Sequence, residues 1–200
     1  MSSTNAPFGL RPAFHPSGLD RAQALANGIQ AVSTSGNVSA GYATTILKGQ
    51  PVKYSSSGYI VVAAAGDAFV GAFDGVEWTD STGRRRVSNY WPANESFQTG
   101  SVVAYFYADQ NIVYEIQTDG TLAQTAIGDE ADLSNTTAGS TTTGLSQCTL
   151  STSLVGAGNS AQMRIIDIAP YPDNAWGDTY VIVRAVIAEY QFAGAAGTAV

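Results

Sequence analysis

A chain of 200 residues is long enough for one large domain, or a domain with extensions, around a substantial core. It is 44% hydrophobic but only 12% charged, with 21 glycines, a formal net charge of −7 and a single cysteine. The acidic balance disfavours phosphate backbones as ligands, so no nucleic acid is expected as a partner, and Cys148 alone excludes an intrachain disulfide.

The low charge and the abundance of glycine, serine and threonine favour strands and turns over helices. They also leave a surface that is easily desolvated against a partner. No apolar run approaches the ~18 residues of a membrane-spanning helix, so no membrane contact is expected. The basic-then-apolar pattern of a signal peptide is missing from the first residues, which predicts a protein made and kept soluble.

In chain order, the first feature is the segment from Asn5 to Pro16, which is apolar yet follows neither the helical nor the strand period. Pro7, Pro12 and Pro16 fix φ and remove amide donors, so the segment is expected to run as a stiff extended arm. Phe8, Leu10 and Phe14 then need a surface, which is either the rest of this chain or another subunit. Burying them contributes about 1.5–3 kcal/mol each, against about 1–2 kcal/mol to order each residue's backbone. The balance for a free arm is near zero. Phe8, Leu10, Arg11 and Phe14 are therefore the expected partner contacts, effective when the body docks too or when several arms act together.

Asp20 is placed to cap a short helix through Asn27, with Gly28 to stop it. Residues 33–41 read as a small polar linker. The expected organisation is an arm with helix and linker over 1–41, a β-rich body over 42–192 and a flexible tail over 193–200. In the body, short β-like runs alternate with turn signals: 43–47, 52–54, 59–62, 68–78, 85–90, 102–107, 112–117, 145–150, 163–169 and 180–192. Ala108 to Asn111 is read as the turn of a hairpin. In the last run both alternate sets of residues are apolar, which predicts a central strand. The fold class is thus mainly β, an antiparallel sandwich or jelly-roll-like barrel with an extended arm and one short helix.

Chemistry is sparse. His15 is the sole histidine and sits in the arm between Phe14 and Pro16, where neighbours in sequence are not expected to fix it for catalysis. Asp74, Glu77 and Asp80 form one acidic group and Asp129, Glu130 and Asp132 another, and neither matches a calcium loop. Arg84, Arg85 and Arg86 read as a solvated hairpin, and Cys148 as a buried, inert thiol. No catalytic residue, cofactor or metal is assigned, and the chain does not read as an enzyme. Trp78, Tyr90, Trp91 and Trp176 are the residues that would make a sugar-stacking platform, if they are not core.

Six short segments occur in order: Ala6 to Pro12, Gly49 to Val52 with Ala63 to Asp67, Gly71 to Val76, Tyr90 to Ala93, and Pro172 to Asn174. Together they resemble the small structural proteins that cement or decorate the heads of tailed bacteriophages. The resemblance implies a β-rich body on the outer face of the capsid, in a virion assembled from proteins made in the host bacterial cytoplasm. It further implies the major capsid protein as partner, arms that cross capsomer boundaries, and a homo-oligomer, with a trimer favoured over a dimer. The alternative is a virion fibre or receptor-binding β-module that contacts host glycans through its aromatic residues.

Overall fold

The computed structural model describes residues 4–15, 24–27, 33–35, 38–40, 42–156 and 158–193. Apart from one 3-10 turn at Gln124–Ala126, the regular elements among the described residues are strands. The first nine are β1 (Arg11–Phe14), β2 (Ala24–Asn27), β3 (Ser33–Ser35), β4 (Val38–Ala40), β5 (Pro51–Tyr54), β6 (Ile60–Val62), β7 (Gly71–Thr79), β8 (Arg85–Ser88) and β9 (Ser96–Gln98). The rest are β10 (Val103–Tyr107), β11 (Val113–Gln117), β12 (Glu130–Ser134), β13 (Gly139–Ser140), β14 (Leu145–Ser146), β15 (Thr149–Leu154), β16 (Met163–Ile168) and β17 (Ile182–Ile187).

Two large antiparallel sheets dominate. The first has the order β1-β11-β17-β16-β12-β15, and the second β2-β10-β7-β5-β6 with β8 on β7. Small sheets β3-β4-β9 and β13-β14 complete the set. The protein is mainly β, and the arrangement fits a sandwich.

In β10, β12 and β17 the burial pattern follows the strand period of two, whereas β11 is buried along its whole length. In β17, Val183, Ala185 and Ile187 are buried while Ile182, Arg184 and Val186 are half-buried, and the strand lies between β11 and β16 as a central strand should. One core gathers on the first sheet around Tyr114, Ile116, Met163 and Ile165, and takes Phe69 and Ala72 from around the second. The other holds Val52, Ile60, Phe73 and Phe106 with an aromatic chain of Trp78, Trp91 and Phe97. Those rings meet edge to face, 5.5 and 5.6 Å apart, the arrangement that ring quadrupoles favour.

Buried glutamine amides replace backbone partners where the sheets meet irregular segments. Gln162 accepts from the Leu133 amide and donates to the Ala64 and Asp67 carbonyls. Gln50 accepts from the Leu47 amide and donates to the Thr136 carbonyl. The Leu47 and Leu133 amides and the Thr136 carbonyl would otherwise be buried without partners.

Three local expectations are corrected. The helix expected from Asp20 to Asn27 is overturned where the chain is described, because Ala24–Asn27 is strand β2, paired with β10 from Ala24 opposite Tyr107 to Asn27 opposite Ala104. Its start at Asp20 lies outside the described residues. A free sheet edge here outweighs a local helix preference worth only tenths of a kcal/mol per residue. The linker over 33–41 contains the antiparallel pair β3–β4, joined to β9. Finally, Ala108 to Asn111 does make a turn, with the Ile112 amide on the Asp109 carbonyl, but it closes no hairpin: β10 belongs to the second sheet and β11 to the first. Of the tail expected over 193–200, all but Ala193 lies outside the described residues.

Candidate functional site

The N-terminal segment lies on its own chain, fixed by a crossing of two glycines. Gly9 has φ +74°, and a Cβ there would stand 2.6 Å from the Gly49 carbonyl oxygen and 2.8 Å from Ser146 Cβ. Only glycine allows that approach at that backbone conformation. The Leu10 amide then donates to the Gly49 carbonyl at 2.8 Å, and the Leu10 side chain enters the first core, 1% exposed. Upstream, the Gln117 side chain accepts from the Ala6 amide and donates to the Thr4 carbonyl. Downstream, β1 pairs antiparallel with β11.

The four expected partner contacts therefore separate. Leu10 is core, and Phe8 is half-buried beneath the Arg11 guanidinium, 4.5 Å from the ring centroid. Arg11 and Phe14 stay accessible. Arg11 bonds Glu115 at 2.7 Å and also donates to the Tyr171 hydroxyl. Glu115 further accepts from Tyr171 at 2.5 Å and from Arg184 at 3.4 Å, while the Arg184 guanidinium lies 5.3 Å from the Phe14 ring centroid. Burial of Glu115 works to raise its carboxyl, but the hydrogen bonds from Tyr171 and Arg11 outweigh it and hold it below the usual range. At the end of the segment His15 bonds Asp109 at 3.0 Å.

A groove of about 610 Å³ lies between this segment and the body. Phe8, Pro12 and Ala13 line it from the segment, with Phe73, Tyr107 and Leu145 from the body. It also contains the Lys48–Asp74 ion pair, 2.6 Å apart. In both ion pairs at the groove the cation is the outer member: Arg11 is 49% exposed against 8% for Glu115, and Lys48 47% against 27% for Asp74. Lys48 and Leu145 are brought together by a backbone bridge. No local signal announces this pairing, since nothing near Lys48 or Leu145 distinguishes either from any other residue of a β-turn region.

The remaining candidates have structural roles. Asp80 accepts from the Thr82 hydroxyl and amide, the Arg84 amide and Arg86, fixing the β7–β8 turn. Those bonds, led by the Thr82 hydroxyl, keep its carboxyl far below the ordinary range. Arg85 pairs with Glu77 across the same two strands. In the second acidic group, Glu130 pairs with Arg164 and accepts from the Ala161 amide, while Asp132 accepts from the Gln162 amide. Burial pushes the Cys148 thiol up to about 12, which leaves it unreactive at neutral pH. Trp78 and Trp91 are core, so they form no sugar-stacking platform, and Trp176 packs half-buried against the first core.

No family model, curated protein or solved structure matches this chain.

Proposed function

We propose that this chain is a non-enzymatic structural protein of a tailed-phage head, bound to the major capsid protein on the outer face of the shell and stabilising contacts between capsomers. The observation that carries the reading is the N-terminal segment. It is anchored in its own body at Leu10 and presents Arg11 and Phe14 outward beside an apolar groove, so a recognition surface is built into a weakly charged β-body. The segments that resemble phage cement proteins include this same stretch, from Ala6 to Pro12. The acidic net charge suits an outer position, away from packaged DNA.

Quantitative mass spectrometry of purified virions tests the proposal. Hundreds of copies per particle, with loss of capsid stability when the protein is removed, are expected. A few tens of copies or fewer, or unchanged capsid stability, would remove it. The accompanying expectation of a homo-oligomer, a trimer before a dimer, is read by light scattering of the isolated protein.

A further inference from the structure

The geometry points to the groove beside β1 as a receptor for an extended segment of the capsid shell protein, one that carries an apolar side chain next to a carboxylate. This rests on the head-binding reading above and reverses the direction expected of the arm: the N-terminal segment forms one wall of a pocket instead of reaching into a neighbour.

Three observations specify the occupant. First, among the described residues β1 is the outermost strand of its sheet, pairing with β11 alone, and its residues Arg11, Pro12 and Ala13 line the groove. An open strand edge takes an extended chain by strand addition, to which Pro12 can offer its carbonyl but no amide donor. Second, most of the lining is apolar, and Leu145 at the groove is 42% exposed, so the occupant must supply an apolar side chain to cover it. A volume of about 610 Å³ lies within the ~300–1,000 Å³ range of specific binding pockets.

Third, the charge is asymmetric. Arg11 and Lys48 face outward while Glu115 and Asp74 sit beneath them, so an arriving chain meets two cations before it meets an anion. In a chain of net charge −7, that local reversal of sign favours a carboxylate on the partner and orients its approach.

The test is co-sedimentation of the full chain with empty phage heads stripped of it, using wild type, Leu145→Asp, Lys48→Glu and, as a control, Val87→Asp. Val87 is 76% exposed on β8 and is not among the groove residues. Leu145 and Lys48 are themselves exposed, and thermal melting of each variant establishes that it is folded. Leu145→Asp and Lys48→Glu are each expected to weaken binding roughly tenfold or more by placing like charges together, with Val87→Asp unchanged and wild-type binding falling as salt rises. If wild type binds and both groove variants bind equally well, the groove assignment is overturned while the head-binding reading stands. If wild type itself does not bind, both fall. Wild-type dimerisation that Leu145→Asp abolishes would place a second copy in the groove and overturn the assignment to a capsid segment.

Discussion

Leu10→Ala measures whether the N-terminal segment is part of the fold. The substitution removes three carbons from a side chain that is 1% exposed and belongs to the first core. At about 0.8 kcal/mol per buried methylene the transfer component comes to roughly 2.4 kcal/mol. The unfilled space adds to it, giving the ~2–5 kcal/mol typical of Leu→Ala in a core. For a chain of this size each kcal/mol moves Tm by about 2–4 °C, so a loss near 3 kcal/mol lowers Tm by roughly 6–12 °C. Phe14→Ala is the internal comparison: Phe14 is 36% exposed at the sheet edge, so about 1 kcal/mol is expected. Urea denaturation read by tryptophan fluorescence and far-ultraviolet circular dichroism gives both values. Equal and small effects of the two substitutions would refute the reasoning, because a segment that detaches on its own caps the loss at its docking energy. A fall in the denaturant slope without a shift in midpoint would point the same way, to a native state from which the segment has already separated.

Four further outcomes are expected. Glu115→Gln should lower stability at pH 7 by about 1–3 kcal/mol through loss of charge-assisted bonds. Because the folded state holds this carboxyl below its unfolded value, its contribution is full above the unfolded pKa and is lost as pH falls through the folded one. Acid titration of Tm should therefore be flatter in the variant, and identical acid limbs would refute the assignment. Gln162→Met strands the buried Leu133 amide and removes the bonds to the Ala64 and Asp67 carbonyls, and should cost about 1–3 kcal/mol in a urea titration. Gly9→Ala should cost more than Gly58→Ala, since both have positive φ but only Gly9 meets atoms within 3 Å; equal melting temperatures would deny the crossing with Gly49. Chelator should leave Tm unchanged, because Asp74, Glu77, Asp80 and Glu130 already face basic side chains, whereas a drop restored by calcium would reveal a cation site.

What the sequence disclosed was whatever depends on neighbours along the chain. Most strands of the body were legible from their short apolar runs, and β17 from its two apolar faces, but β9, β12 and β13 fall outside the expected runs, and 43–47 makes only the isolated bridge of Ile46 to Trp91. The Asp109 turn was legible too, since Asp109 accepts from the Asn111 amide at 2.8 Å. The choice of partner strand was not: β10 and β11 flank that turn, yet β10 pairs with β7 and β11 with β17, contacts fixed by distant residues. The same limit explains β2. The run from Arg21 to Ala26 is rich in helix formers, and nothing local reveals the sheet edge that takes its second half. Serine, threonine and glycine between residues 33 and 41 describe a loop and a short antiparallel pair equally well. Gln50, Gln117 and Gln162 look like surface residues until their distant carbonyl and amide partners are in place.

The N-terminal segment shows how this limit bears on function. Its proline-rich, apolar composition correctly required a surface, and the surface for Leu10 is its own body. That changes the energetics of recognition. A free arm would have to be ordered when it meets its partner, at about 1–2 kcal/mol per residue, nearly cancelling what its three large side chains gain. A segment docked through Leu10, Gln117 and Glu115 is ordered when the chain folds, so the encounter carries less of that cost. Phe14, Arg11 and the groove beside β1 then act as a preformed surface. By this argument the strength of head binding should follow the stability of the docked segment: Gly9→Ala, outside the groove lining, and Leu10→Ala, at the groove's buried floor, should weaken co-sedimentation with empty heads in proportion to the fraction of molecules whose segment has come loose. Binding unaffected by either substitution, at a temperature where hydrogen exchange shows residues 10–14 unprotected, would separate recognition from the segment's order.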